Sequence, residues 1–380
     1  MSITATLATS DEIVTYVANH IGFIELERPK ALNALSTGMI RAMHAALEGW
    51  REDSGVHAVV IRSQHARAFC AGGDIRFLYE SAQRGERDAL DTFFIEEYAL
   101  NHAIFTYPKP YVALMNGVVM GGGMGISQGA HRTRGLRVVT GSTRMAMPET
   151  RIGLFPDVGA GWFLARAPGA LGRYLAITGE TIGAADALYA GLADTYIDDA
   201  ALPALIDTLK RESFASGADV VACVAREAAR CEVMPRPDAS PLAQVRVLID
   251  RHFSKPDVGQ ILKSLETETG AEAECEAAGW AEQTTAVLRE RSPLSMAISL
   301  EVVTRAEGSM AECLRRDLDL TRSCFAQGDV IEGIRARIID KDNRPAWRFA
   351  QIEDVPAEAV ETMFESPWPA DAHPLRALQD

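Results

Sequence analysis

Apolar residues fall in short β-branched or alternating runs through the first half of the chain and recur at helical spacing through the second. Ile13 to Val17 and Ile21 to Leu26 are two apolar runs joined by Ala18-Asn19-His20, which predicts a β-hairpin. Met39, Ile40, Met43, Leu47 and Trp50 then recur at helical spacing behind Ser36, so the spacing predicts a helix with one buried stripe and a serine cap. Val56 to Arg62 reads as a strand. The stretch FCAGGDIRFLYE turns at Ala71 to Gly73 and opens a helix at Asp74, leaving backbone amides exposed at a helix start. A second amphipathic helix spans Ala89 to Phe105. After Pro108 and Pro110, a strand from Tyr111 to Asn116 runs into the glycine cluster Gly117 to Gly125, which predicts a turn and another helix start.

Beyond Thr195 to Ile197 the composition shifts to Ala, Glu, Leu and Arg with helical periodicity, as far as about residue 340. Near its end Asp329-Val-Ile-Glu332 has the pattern of a capping box, Ile331, Ile334 and Ile338 form a stripe, and Pro345 stops it. A repeated sheet-then-helix unit is compatible with the first half, but its periods are irregular and no exact repeat is present.

With 380 residues, 47% of them apolar and 24% charged, the chain can bury a sizeable core, which excludes disorder as its main state. Its net charge of −14 repels nucleic-acid phosphates and anionic lipid, and no basic patch stands out. The expectation is no nucleic-acid partner and no membrane partner. The glycine-rich, nearly uncharged stretch Tyr111 to Ala130 suits a tight-turned core better than a span. Six cysteines without a CxxC pair suggest a reducing compartment, and the first residues resemble neither a secretion signal nor a transit peptide, which favours the cytoplasm.

Several chemistries lack their signatures. There is no Gly-Lys dipeptide for a phosphate-binding P-loop, no GxGxxG register, no HExxH, and no Cys/His cluster at metal spacing, so no metal is expected. Gly125-Ile-Ser127-Gln-Gly129 fits the GxSxG elbow of serine hydrolases, but Ser127 falls well past the preceding strand, inside a predicted helix. His131, His252 and His373 follow no acidic residue in a triad pattern.

Two glycine-bearing turns, at Ala71-Gly72 and at Gly121-Gly122-Gly123, each offer backbone amides beside a helix start. Such a pair can hold an oxygen that gains negative charge, at about 3 kcal/mol per donor in a transition state, although both could equally be plain tight turns. The blocks LERPKALNALS, AFCAGGDI, NGVVMGGGMGIS and MAMPETRIGLFPDVGAGWFLAR, in that order, resemble the crotonase (enoyl-CoA hydratase/isomerase) superfamily, and within it the branch that hydrolyses 3-hydroxyisobutyryl-CoA. FAQGDVIEGIRARIIDKDNRPAW resembles the C-terminal segment of that branch.

The resemblance implies an α/β fold, a crotonase-type ββα superhelix core over residues 1–200 that binds acyl-CoA, and a mainly helical region over 201–380. It implies oxyanion amides at Ala71 and Gly122, with Gly72, Gly73, Asp74 and Gly121 around the substrate. Arg28, Lys30 and Arg62 are candidates for the CoA phosphates, with an equally good reading as surface charges. Glu149, directly after Met-Pro, and Asp157 in GLFPDVG are the implied catalytic carboxylates; loop ion pairing for Glu149 and a helix cap for Asp157 are the structural alternatives. The family's hydratases use two glutamates, and the first of these positions is Gly125 here, which puts hydration in doubt.

Glu97 lies on the helical face of Leu90, Phe93, Phe94, Asn101 and Ile104, where a carboxylate must find a donor or keep its proton. A salt bridge to Arg76 would satisfy it; the resemblance assigns it instead to the substrate's hydroxyl. The implied reaction is hydrolysis of a short branched β-hydroxyacyl-CoA thioester in valine breakdown, with enolate-based hydration or isomerisation as the alternative. CoA is part of the substrate, so no separate cofactor is implied. Superfamily members form trimers, yet a long C-terminal region can replace intersubunit contacts, so a homo-oligomer stays open.

Overall fold

A computed structural model describes residues 9–10, 12–232, 234–268, 275–369 and 371–380. Its strands are β1 (Thr9–Ser10), β2 (Ile13–Ala18), β3 (Ile21–Leu26), β4 (Ala58–Ser63), β5 (Ala68–Cys70), β6 (Tyr111–Met115), β7 (Val118–Met120), β8 (Leu136–Val139), β9 (Arg144–Ala146) and β10 (Thr195–Tyr196). The expected hairpin forms between β2 and β3, with Ile13 opposite Leu26 and Ala18 opposite Ile21. Ala18 stays in the strand, and Asn19 and His20 alone make the turn, both in the left-handed region at φ 47° and 66°. That is the two-residue geometry which matches strand twist.

Two sheets result. One runs β1-β2-β3-β4-β6-β8-β10, antiparallel across the hairpin and parallel from β3 onward; the other is the three-stranded parallel sheet β5-β7-β9. The chain therefore alternates three times between a strand of the large sheet and a short strand of the small one, as β4-β5, β6-β7 and β8-β9, with helix after each pair. This is the ββα repeat. Its period is irregular in sequence because the first pair is followed by two helices, Ile75–Gln83 and Arg87–Phe105, and the second by one helix of seven residues, Gly122–Gln128. The strand β7 lies inside the glycine cluster, where only a turn was expected; three residues are too few to show a period.

Helices form where periodicity places them. Ser36 accepts from the Met39 amide at 3.2 Å to start the helix Thr37–Arg51, and its whole predicted stripe is buried. Asp74 caps the helix Ile75–Gln83 by accepting from the Phe77 amide. The expected capping box at Asp329 does not form: its carboxylate accepts from Ser292 and from the Arg348 amide, and Glu332 turns to Arg335 and the Ala346 amide. Apart from Arg335, three residues on, those partners lie 14 to 37 positions away, out of reach of a local pattern. After β10 the described chain is helical, and its helices join the first half in one apolar cluster reaching from Ile13 to Leu375.

Candidate active site

The small sheet builds the site. Its three strands are parallel neighbours, so the turns that leave their C-terminal ends lie side by side. β5 delivers Ala71-Gly72-Gly73, β7 delivers Gly121-Gly122, and β9 delivers Met147-Pro148-Glu149. All three turns open on a cavity of about 450 Å³, with Phe93, Phe94, Glu97, Leu154, Asp157 and Val158 also in its wall.

The geometry corrects the expected amide pair. The Ala71 N–H donates to the Leu32 carbonyl at 3.0 Å and is spent there. Gly72, at φ 105°, reverses the peptide, which a side chain would resist. Gly73 bridges Leu35 through its neighbours, the Leu35 amide donating to Gly72 O and the Asp74 amide to Leu35 O, so the Gly73 N–H is left over. A Cβ on Gly122 would stand 3.3 Å from the Gly73 nitrogen, and one on Gly72 would stand 3.6 Å from the Gly122 nitrogen. The facing amides are those of Gly73 and Gly122. Gly121, at φ 50° and ψ −119°, makes the second turn possible.

Three carboxyl groups converge on this pair. Glu97 Oε1 is 2.5 Å from where a Gly122 Cβ would be, and Glu149 Oε1 is 2.8 Å from the corresponding point of Gly121. Glu97 Oε1 and Glu149 Oε2 are both buried without a hydrogen-bond partner. Neither alternative ion pair forms among the described residues: Arg76 reaches the Ile338 carbonyl at 3.4 Å, and the nearby Arg41 takes Glu96, on the other face of the helix. Asp157 does not cap a helix through its side chain. Its carbonyl accepts from the Ala160 amide, while its carboxylate accepts from the Tyr98 hydroxyl at 2.7 Å.

Burial sets the protonation. It pushes both Glu97 and Glu149 well above the ordinary carboxyl range, and the charge of Asp157 pushes each further. Asp157 rises only to about 6, because the Tyr98 hydroxyl favours its charged form against the burial. Of the three, Asp157 is therefore the carboxyl that ionises most readily, and the two glutamates keep their protons to higher pH.

The loop carrying Asp157 is held from a distance. Asp317, fully buried, accepts from the Gly159 amide at 2.8 Å, and Thr321, one turn later in the helix Met310–Gln327, hydrogen-bonds the Tyr98 hydroxyl at 2.8 Å. Val158 sits at φ 52°, a β-branched residue in the left-handed region, which costs about 1–3 kcal/mol and marks a turn its surroundings enforce. Val158 also explains position 125. A Cβ on Gly125 would lie 2.8 Å from Val158 Cβ and 2.9 Å from Asn101 Nδ2, so the place where the hydratases carry their first glutamate is filled.

Other expected residues lie elsewhere. Asp74 is absent from the cavity wall and spends its carboxylate on its helix cap and on Arg28 at 2.7 Å. Arg28 also pairs with Glu12, and Arg62 pairs with Glu25, so neither has an uncommitted guanidinium for phosphates; Lys30 is exposed. Ser127 is fully buried and donates to the Gly123 carbonyl, as a helical serine does, and His131, His252 and His373 are paired with other groups. Tyr98, Thr321 and Asp317 were not signalled by the sequence. Among the described residues no helix is long and apolar enough to cross a membrane.

The sequence profile of the enoyl-CoA hydratase/isomerase family matches residues 21–364. The chain is 38% identical over 349 residues to the Xenopus tropicalis protein named 3-hydroxyisobutyryl-CoA hydrolase, mitochondrial, covering 91% of this chain and 86% of that one. It is 37% identical over 347 residues to the protein of the same name from Rattus norvegicus, again covering 91% and 86%. Among solved structures, one described as a carnitinyl-CoA dehydratase from Mycobacterium thermoresistibile superposes with a TM-score of 0.85 at 34% identity, covering 97% of this chain and 100% of that one.

Proposed function

The chain belongs to the enoyl-CoA hydratase/isomerase family, and from that membership we propose that it hydrolyses 3-hydroxyisobutyryl-CoA to 3-hydroxyisobutyrate and CoA, the reaction for which its relatives are named. One observation carries the reading against hydration. The first glutamate position of the hydratases is a glycine walled in by Val158 and Asn101, while Glu149 and Asp157 stand beside the amide pair. The substrate places the chain in valine breakdown. Cys70, Cys223, Cys231, Cys313 and Cys324 are unpaired, which supports a reducing compartment, the cytoplasm in this reading.

In this mechanism the thioester oxygen lies between the Gly73 and Gly122 amides, each worth about 3 kcal/mol once the oxygen carries charge. Glu149, having given up its proton, acts on the thioester carbon in one of two ways. As a nucleophile it forms a C–O bond, the C–S bond breaks, the CoA sulfur leaves and takes a proton, and water then cleaves the mixed anhydride. As a general base it takes a proton from water, whose oxygen bonds to the carbon directly while the C–S bond breaks and the CoA sulfur leaves with that proton. Asp157, held by Tyr98, orients the water and relays the proton. Glu97 faces the acyl end, where the substrate hydroxyl satisfies its unpartnered oxygen.

The test is thiol release from 3-hydroxyisobutyryl-CoA and from 3-hydroxypropionyl-CoA, with crotonyl-CoA hydration measured beside them. Rapid thiol release that Glu149→Ala abolishes supports hydrolysis. Consumption of crotonyl-CoA without thiol release replaces it with the hydratase or isomerase reading.

A further inference from the structure

The wall of the catalytic cavity carries a group of cations from two distant parts of the chain. Arg151 follows Glu149 in the turn after β9, and Arg291 and Arg337 come from the helical half. Arg291 is buried at 2% exposure and donates through Nε to the Thr178 carbonyl at 2.8 Å. Arg337 sits on a π-helical turn, Arg335–Ile339, a local widening common at functional sites. Its Nε is buried without a partner.

These charges are poorly neutralised. The carboxylate beside them is Glu290, 65% exposed, 3.6 Å from Arg291 and 3.7 Å from Arg337. Such a pair at that exposure is worth little. The acidic residues of the following loop do not help, since Asp340 and Asp342 both bind Arg335 at 2.7 Å. Burial, and then the charges of Arg151 and Arg337, bring the Arg291 guanidinium down to about 10. Crowding like charges in the wall of a cavity is costly unless an anion completes the group.

We propose that Arg151, Arg291 and Arg337 form the subsite for the phosphate groups of the CoA portion of the substrate, with Glu290 as the counter-charge that the incoming phosphates displace. The proposal rests on the acyl-CoA reading above. Arginine suits the task because its planar fork meets phosphate oxygens bidentately. The same wall thus carries the glutamates and the amide pair for the acyl thioester and a group of cations for its carrier. The C-terminal half of the chain thereby helps to hold the substrate's carrier.

The experiment compares the CoA thioester with the N-acetylcysteamine thioester of the same acid, which lacks phosphate, in the full-length protein. Arg151 is exposed and Arg337 partly so, so Arg151→Ala and Arg337→Gln leave the core intact. Each is expected to lower kcat/KM for the CoA thioester through KM, by on the order of tenfold more than for the truncated one. Glu290→Gln is expected to act in the opposite sense and lower KM for the CoA thioester. Equal losses on both thioesters, or no loss on either, overturn the subsite.

Calorimetric binding of CoA itself separates this failure from failure of the function. Weakened CoA binding in Arg151→Ala and Arg337→Gln, in a protein that releases no thiol, sinks the hydrolase reading and leaves the subsite standing. Unchanged binding sinks the subsite whatever the activity.

Discussion

The Tyr98 hydroxyl donates to Asp157 at 2.7 Å, and it is the side-chain hydrogen bond that lets this carboxyl ionise more readily than its two neighbours. Without it Asp157 would meet the same burial as Glu97 and Glu149 with only a backbone hydrogen bond of its own to oppose it. One phenol thereby helps to set Asp157 apart from the two glutamates beside it.

Tyr98→Phe removes the donor that favours the charged form, so the Asp157 pKa should rise above about 6. Of the two ionisations that make up the acidic limb of the kcat/KM profile for thiol release, the lower one, that of Asp157, should move up by about one pH unit, since a hydrogen bond to a charged group is worth about 1.5–3 kcal/mol. A variant whose profile keeps its wild-type position at lower amplitude would show that Tyr98 merely packs.

Asp157→Asn shifts a different group. The negative charge of Asp157 raises the pKa of Glu149, so the neutral amide should let Glu149 ionise at lower pH even as turnover falls. The residual activity should show its acidic limb displaced downward. Single-turnover hydrolysis in ¹⁸O-water, followed by mass spectrometry of the peptide bearing Glu149, settles how that carboxylate acts: label in the peptide means an anhydride, and its absence means a general base.

Much of this site was legible in the sequence, and the losses have physical causes. Glu97 could be found because a helix repeats every few residues, so a carboxylate on an apolar face is visible without structure. Gly122 and Glu149 could be found because their motifs are local. The second amide was misplaced by two residues, from Gly73 to Ala71, because peptide direction depends on the φ of Gly72, which a string of small residues does not reveal. Tyr98 escaped although it adjoins Glu97, since its meaning lies in a partner 59 positions away. Asp317, 158 positions from the amide it holds, left no local sign at all.

The hydroxyl of the substrate should matter more than its branch. Glu97 Oε1 is buried and without a partner, so an acyl group lacking the hydroxyl leaves it unsatisfied. Isobutyryl-CoA should be disfavoured against 3-hydroxyisobutyryl-CoA by on the order of 10³-fold in kcat/KM. Glu97→Leu, which replaces the carboxyl with apolar volume, should cut that ratio to about tenfold. An undiminished ratio in Glu97→Leu would assign recognition of the hydroxyl to another group.

Glu97 also makes a prediction about stability with a definite sign. Its pKa is raised on folding, so the folded chain binds a proton that the unfolded chain releases above the ordinary carboxyl range. The stability from this group is fully present below the unfolded pKa and is lost as pH rises toward the higher folded one. Glu97→Gln carries no titratable proton and loses nothing over that window. Its melting temperature relative to wild type should therefore be more favourable at pH 8 than at pH 5. The amide needs its own hydrogen bonds, and that cost is the same at both pH values, so the difference between them isolates the proton. A difference of zero would mean that Glu97 is ionised in the folded protein across the range, with a donor in place of its proton.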